Sequence, residues 1–243
     1  MSSDVQEDLL GLQNALIKTD SVEQFLHELA LLSVQAVDGA MSCGMSLRQR
    51  GKIGPVACTD PRAAAADEVQ YQTGGGPCLH AMRRGRPVRI DDTAASDRWP
   101  RFSRRAVELG IRSCYALPLV VDGEPIGALV LYALRPGAFG PGESKRSDRF
   151  ASDASGALTL ALRMAACTDL NDQLRSSIVS RSVIDQALGV IMATEHCPQD
   201  RALALLRSVS QNNNVRLRDL AASIVTRASG APAQSAPPFE EDD

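Results

Sequence analysis

Aromatic residues are scarce in this chain of 243 residues, where they make up 4% of the sequence and include one tryptophan. Extended aromatic platforms that stack on sugars or on nucleic-acid bases are therefore poorly supported. The formal net charge of -3 provides no global basic field. Any binding to nucleic acid must consequently depend on a local basic patch.

Paired cysteines are also missing, because no Cys-x-x-Cys motif occurs anywhere in the sequence. This absence disfavours a zinc site and a compact disulfide framework, so we expect reduced, mostly buried thiols and no metal. The six cysteines are scattered as Cys43, Cys58, Cys78, Cys114, Cys167 and Cys197.

An export signal and a membrane span are not found in the sequence. The segment Met1–Leu10 carries Asp4, Glu7 and Asp8, where a signal peptide needs a basic start and an apolar run. No stretch approaches the roughly 18 apolar residues of a spanning helix. These absences predict a soluble, cytoplasmic protein without a membrane partner, in a compartment that keeps thiols reduced.

The first two thirds of the chain have the pattern of an α+β domain. Ser21-x-x-Gln24 is typical of a capping box and predicts a helix start, and Gly and Pro divide the sequence after Gly39 into short apolar runs that predict strands. Asp122-Gly123 between two β-rich arms predicts a hairpin with a type I′ turn. The glycine run at 74–76 permits either close backbone approach to a ligand or a tight turn into a helix.

A long helical spine is predicted from about Gly142 to Thr194, with a break near Thr168, because apolar residues recur every three or four positions without proline. Pro198 begins a second helix, the Asn212–Asn214 run ends it, and Asn214 is expected to cap a third. We therefore predict an N-terminal segment (1–20), an α+β domain with an antiparallel sheet and flanking helices (21–166), an all-α three-helix domain (167–227) and a disordered acidic tail (228–243).

The three C-terminal helices contain the successive motifs Ser180–Met192, Arg201–Ser210 and Arg216–Ala221. In order and spacing these motifs resemble an ANTAR domain, except that Leu188 replaces a residue that is commonly basic in that family. Residues 70–135 resemble the GAF domains that accompany ANTAR modules in actinobacterial regulators. The residues that carry this second resemblance are the Gly-Gly-Gly-Pro-Cys-Leu run at 74–79, the Asp-Arg-Trp-Pro-Arg-Phe run at 97–102 and Leu117-Pro118-Leu119.

The resemblance implies a non-enzymatic regulator that binds paired stem-loops in nascent leader RNA and permits transcription past a terminator, under control of a GAF sensor. No cofactor is expected apart from an unidentified small-molecule effector. We expect an effector pocket near Cys78, Trp99, Phe102 and Cys114. The alternatives are a GAF-based redox enzyme or thiol sensor, in which His80 activates Cys78, and a protein-binding dimer scaffold.

Local charge supports the RNA assignment, because residues 201–227 contain five arginines and one acid. Arg216 and Arg218 fall at the start of the third helix, where each cation opposes the helix dipole at a cost of about 0.3 to 1 kcal/mol. A phosphate bound at that helix start would make the two cations favourable there. The predicted RNA-binding residues are Arg207, Ser210, Asn214, Arg216 and Arg218.

A second basic region lies in the sensor domain, where charges of both signs are interspersed. This pattern favours a solvated surface, with contact to RNA or to an anionic ligand as the alternative. The arginines are Arg83, Arg84, Arg86, Arg89, Arg98, Arg101, Arg104 and Arg105, opposed by Asp91, Asp92 and Asp97.

The spine predicts a homodimer, because Leu174, Ile178, Leu188 and Ile191 would otherwise leave an apolar strip exposed. Light scattering should give the dimer mass at micromolar concentrations, and a charged residue in place of Leu174 and Ile178 should shift the equilibrium towards monomer. A concentration-independent monomer of the wild-type chain would contradict this prediction.

Overall fold

The computed structural model describes residues 3–49 and 51–231, with the side chains of residues 3–5 left out. The chain divides into two compact units, Met1–Ala165 and Ala166–Asp243. The first contains α1 (Ser3–Lys18), α2 (Val22–Ala36), β1 (Ser42–Gln49), β2 (Lys52–Cys58), α3 (Pro61–Thr73), α4 (Pro77–Arg84), β3 (Val88–Ile90), α5 (Pro100–Glu108), β4 (Ser113–Val121), β5 (Glu124–Ala133) and the start of α6 (Pro141–Glu195). The second contains the rest of α6, α7 (Gln199–Asn212) and α8 (Leu217–Ser229).

The described strands of the first unit form one antiparallel sheet in the order β2-β1-β5-β4-β3. Side chains alternate across it, as the pleat requires. Leu129, Leu131 and Ala133 of β5 face the core under α1, α2 and α6. Val130 and Tyr132 face a second core under α3, α4 and α5. The predicted α+β class is confirmed.

Two local turn signals have the predicted geometry. The Ser21 hydroxyl accepts a hydrogen bond from the Gln24 backbone N–H at 3.2 Å, as in a capping box. Gln24 Oε1 accepts a hydrogen bond at 3.0 Å from the N–H of Asp20, the residue before the N-cap. Asp122 and Gly123 have φ values of 50° and 84°, as a type I′ hairpin turn requires.

The glycine run forms a tight turn between α3 and α4. Gly74 ends α3 in the left-handed conformation, with φ of 65°. A Cβ atom on Gly76 would overlap Oε1 of Gln70, so the side chain of Gln70 already occupies the space in front of that glycine. The turn therefore serves packing between the two helices.

Helix α6 is continuous from Pro141 to Glu195, so the break expected near Thr168 is not found. Phe150, Ala154 and Leu158 are buried in the core of the first unit. Leu188 is only 4% exposed, and Ile191 packs against the core of the second unit, so the prediction that these two residues belong to an exposed strip was wrong. Both side chains pack with the apolar residues of α7 and α8.

The remaining part of the expected strip is exposed. Leu174 and Ile178 are 53% and 69% exposed, and every residue of the intervening segment 166–178 is also exposed. Within the described residues, no side chain of this stretch belongs to either hydrophobic core. Exposed apolar side chains at helical spacing are typical of an interaction surface.

Helices α7 and α8 complete the second unit around a small apolar core. Pro198 is the N-cap of α7, one residue before the helix it was expected to begin. Helix α8 ends at Ser229, after which Gly230 adopts the left-handed conformation with φ of 73°. The first residues of the expected disordered tail, 228 and 229, thus belong to α8, and residues 232–243 of that tail lie outside the described residues. Among the described helices, none has a segment long and apolar enough to span a membrane.

A buried carboxyl group joins α3 to the sheet. Asp67 is 1% exposed, and its Oδ1 accepts hydrogen bonds from the Tyr132 hydroxyl at 2.5 Å and from Gln70 Nε2 at 3.0 Å. Gln70 in turn accepts a bond from the Cys78 backbone N–H at 2.8 Å. The other Asp67 oxygen has no hydrogen-bond partner among the residues that the structure describes, and it lies against Gly44, where an added Cβ would overlap it. Burial raises the pKa of Asp67 to about 7.

Because the pKa of Asp67 is higher in the folded chain than in the unfolded one, the folded state binds the proton more tightly. The free energy of unfolding should therefore fall as the pH rises from 4 towards 7 and level off above 7. Between pH 5 and 8 the loss from this group is about 3 kcal/mol. When Asp67→Asn is unfolded in urea, its free energy of unfolding should not show this fall with rising pH.

Glu68→Gln is the matched control, since Glu68 is an exposed acid on the same helix. Its pH profile should follow that of the wild type. A profile of Asp67→Asn that also follows the wild type would show that the carboxyl ionises in the folded chain as it does in water.

Candidate functional site

The turn from α7 to α8 places two predicted arginines at a helix start. Arg216 is the N-cap of α8 and makes no capping hydrogen bond, and Arg218 follows in the first turn. Asn214 precedes them with φ of 51°, so it does not cap α8 as expected. Asparagine tolerates the left-handed conformation better than most residues, and the turn uses that property instead.

Ser210 fixes the conformation of this turn. Its hydroxyl donates to the Val215 carbonyl at 2.6 Å, and the Val215 N–H donates to the Ser210 carbonyl at 3.1 Å. The pair closes the loop from the end of α7 to the residue before Arg216. Ser210 therefore acts locally as a positioning residue for the turn.

A surface groove of about 430 Å³ lies beside this turn, between the second half of α6, α7 and the start of α8. Arg207 of α7 and Arg181 of α6 both line it, and so does Leu217, whose neighbours are Arg216 and Arg218. Ser176, Ser177 and Ser180 form its polar wall. Arg181 and the serines were not among the predicted site residues, although Arg181 follows the family pattern.

The arginines at the groove are free of acidic partners. Arg181, Arg207, Arg216 and Arg218 are exposed, and within the described ranges none of them forms an ion pair. An exposed guanidinium group without a carboxylate partner can bind a phosphate through two parallel hydrogen bonds. The surface therefore suits a phosphate-bearing ligand.

Leu188, the departure from the family pattern, lies in the core rather than at the groove. It is 4% exposed and packs with Val183, Ala187 and Leu206. A basic residue here would have to extend its chain out of this core to reach water. Leucine in place of the basic residue removes one possible contact and adds apolar packing.

Three of the predicted effector-site residues come together in the first unit. Cys78, Phe102 and Cys114 are all buried in the core beneath α3, α4 and α5, and Trp99 packs at its edge. That core also contains Asp67 and its hydrogen-bond partners, which were not predicted from the sequence. A lone aspartate in an alanine-rich helix gives no signal of burial.

The buried cysteines are poor nucleophiles. Burial is the largest cause that raises the pKa of Cys78 and of Cys114 well above the usual value, and Asp67 raises both further. His80 does not activate Cys78, because its ring packs against Trp99, with ring centroids 5.5 Å apart. The sulfur of Cys78 instead lies 3.2 Å from the hydroxyl of Ser46. The thiolate that redox chemistry needs is therefore disfavoured.

Metal chemistry finds no support among the residues that the structure describes, because they contain no group of three His, Cys, Asp or Glu side chains able to hold an ion.

Two protein families match successive parts of the chain. The GAF domain family matches residues 19–159, which is more than half of the sequence. The ANTAR domain family matches residues 172–225. No curated protein sequence is significantly similar to the chain.

Solved structures resemble the first unit in fold. The GAF domain of a phosphoenolpyruvate-protein phosphotransferase from Coxiella burnetii is 17% identical, with 70% of this chain and 99% of that chain covered and a TM-score of 0.51. Free methionine-R-sulfoxide reductase from Neisseria meningitidis is 16% identical, with 68% and 95% covered and a TM-score of 0.50. An N-acylhomoserine lactone-dependent transcription factor of the LuxR family from Burkholderia cenocepacia is 18% identical, with 66% and 98% covered and a TM-score of 0.51.

At these identities the solved structures show the fold alone, whereas the two family matches cover both units of the chain. The chain belongs to the GAF domain family and carries an ANTAR domain over residues 172–225, which makes it a regulator of the GAF and ANTAR type.

Proposed function

We propose that this chain is a transcription antitermination regulator that binds paired stem-loops in nascent leader RNA. The RNA-binding domain is placed at 167–227 and the sensor domain at 21–166. A protein that acts on nascent transcripts works in the cytoplasm of a bacterium, and we place it there. The observation that carries the proposal is the group of exposed arginines without acidic partners around the groove of the ANTAR domain.

The electrostatics of α8 favour a phosphate at its start. A helix N-terminus presents unsatisfied N–H groups, and the side chain of the N-cap residue Arg216 accepts none of them. Two arginines at this position destabilise the free helix slightly but strengthen binding of an anion. Stability alone would not select this arrangement, whereas contact with an RNA backbone would.

The GAF domain is assigned to sensing without catalysis. Its candidate pocket residues Cys78, Phe102 and Cys114 are buried, and the pKa values of both thiols are raised, which argues against the redox alternative. Helix α6 contributes to the core of each domain, so a change in the packing of its first half can alter the second. We infer that a small-molecule effector acts through this helix.

The exposed segment of α6 is assigned to a second copy of the chain. Cys167, Asn171, Leu174 and Ile178 follow one another at steps of four, three and four, which is the spacing of coiled-coil core positions. Leucine alternating with a β-branched residue favours a coiled coil of two helices, and one asparagine in the core fixes their register. In a parallel dimer Asn171 faces Asn171 of the other copy, and Cys167 faces Cys167.

Replacement of Arg216 and Arg218 by alanine should weaken binding to a tandem stem-loop RNA by tenfold or more, since each charge-assisted hydrogen bond contributes about 1.5 to 3 kcal/mol. The slope of log K against log salt should flatten by about 0.7 to 0.9 for each phosphate that the variant no longer neutralises. The melting temperature should stay constant or rise, because two unfavourable dipole interactions are removed. Gel shift and thermal unfolding measure these effects.

Arg227→Ala is the matched control, because Arg227 lies in the last turn of the same helix, where a cation is favourable. It should leave RNA affinity unchanged and lower stability slightly. Equal affinity of the wild type and the double variant, or no preference for stem-loop RNA over duplex DNA, would mean that the arginines do not bind RNA.

The parallel register predicts that mild oxidation cross-links two copies through Cys167, whose thiols would lie within disulfide distance. Non-reducing electrophoresis should show the covalent dimer for the wild type and for Cys197→Ser, but not for Cys167→Ser. If light scattering shows a dimer and Cys167 does not cross-link it, the parallel register is wrong.

A further inference from the structure

A second group of arginines on the GAF domain also has no acidic partners. Their neighbours Arg89, Arg105 and Arg112 pair with Asp91, Glu108 and Asp92, at 2.8 to 2.9 Å. In contrast, no ion pair is formed within the described part of the chain by Arg83, Arg84 or Arg98. These three residues are exposed, Arg98 lies over the ring of Trp99, and all three lower the pKa of His80.

Arg98 is held in a fixed position by an aromatic ring. The carbon of its guanidinium group lies 4.4 Å from the centroid of Trp99, and the ring of His80 meets Trp99 edge to face at 5.5 Å. Gly75 packs against the same tryptophan, where a Cβ atom would lie 3.2 Å from Cδ1. An arginine held in this way loses less conformational freedom when it binds a ligand than one that is free in solvent.

Arg83 is fixed in a different way. Its Nη2 donates a hydrogen bond to the Gly74 carbonyl at 3.1 Å, which ties the end of α4 to the turn before it. The remaining donors of its guanidinium group stay available, because the group carries five N–H bonds. Arg83 thus binds the Gly74–Gly75 turn from the end of α4, and Arg98 lies over Trp99, which packs against the same turn.

The backbone of Trp99 is strained. Its φ of 52° lies in the left-handed region, where a bulky residue is uncommon. Asp122, His196 and Asn214, the other non-glycine residues with positive φ in the described ranges, are types that adopt this conformation more readily. Strain at a bulky residue is often found where a side chain must be held in one place for a ligand.

The three arginines place positive charge beside His80, and within the described residues Asp97, which precedes Arg98 in the sequence, forms no ion pair with them. The pKa of His80 is lowered, first by desolvation and then by Arg98, Arg84 and Arg83. The imidazole is therefore neutral at pH 7, and the charge of the cluster comes from the guanidinium groups alone. An anion placed among them would be attracted without having to displace an acid.

We propose that Arg83, Arg84 and Arg98, arranged around Trp99 and His80, form a surface site for the phosphate of a ribonucleotide. The exposed guanidinium plane of Arg98 offers a stacking surface for the base, while Arg83 and Arg84 bind the phosphate oxygens. The nucleotide comes either free or as part of an RNA strand. This site is separate from the groove of the ANTAR domain and does not depend on the proposed function of that groove.

Trp99 is the only tryptophan of the chain, so its fluorescence reports on this site. The full-length protein is titrated with AMP, with a short single-stranded oligoadenylate RNA that lacks a terminal phosphate, and with inorganic phosphate. AMP or the oligonucleotide should give a saturable change. Arg83→Gln with Arg84→Gln should weaken that binding by about tenfold or more. Tighter binding of the oligonucleotide identifies an RNA strand, and tighter binding of AMP identifies a free nucleotide.

Two control variants isolate the site. Arg105→Gln removes an arginine that is already paired with Glu108, and Arg216→Ala with Arg218→Ala alters only the ANTAR domain. Both should keep the fluorescence response to AMP. A failure of stem-loop binding therefore leaves the nucleotide site standing, and a failure of nucleotide binding leaves the stem-loop proposal standing.

The titration of His80 by NMR provides an independent readout. A bound diester phosphate offsets the field of the arginines, so saturation with the oligonucleotide should raise the pKa of His80. The proposal is overturned by any of three results: no response to either nucleotide probe, equal binding by the Arg83→Gln, Arg84→Gln variant, or inorganic phosphate binding as tightly as AMP.

Discussion

One helix that must serve two hydrophobic cores is the constraint on which this structure depends. The early part of α6 buries Phe150 and Leu158 in the GAF domain, and its late part buries Ala187 and Leu188 in the ANTAR domain. Between them lie residues 166–178, all of which are exposed. This exposed stretch is the surface that we assign to a second copy of the chain, and the continuous helix is the route that we propose for a signal from the GAF domain.

The local signals in the sequence predicted much of the fold. The capping box at Ser21 and the type I′ turn at Asp122-Gly123 depend on short-range geometry, and both are found. The prediction of a break near Thr168 was wrong, because the polar residues there lower helix propensity but none of them ends a helix. Leu188 and Ile191 were assigned to the wrong surface, because periodicity shows which residues share a helix face and not what covers that face.

The candidate sites differ in how far the sequence could predict them. Arg207, Arg216 and Arg218 are recognisable from local charge, and the structure adds Arg181 and the serines that line the same groove. Asp67 could not be found in this way, since its burial depends on a sheet far away in the sequence and on Gly44, which leaves room for the carboxyl group. Tertiary packing thus makes an ordinary helix residue into a titratable group of the core.

Crosslinking of RNA to the protein in living cells is the sharpest test of RNA binding by this chain, because it makes no assumption about which transcript is the target. Ultraviolet crosslinking, purification and sequencing should recover leader transcripts that contain two adjacent stem-loops before a terminator, and the Arg216→Ala, Arg218→Ala chain should fail to recover them. Recovery of no transcript above background by the wild-type protein would contradict the antitermination proposal and favour a dimeric scaffold that binds other proteins.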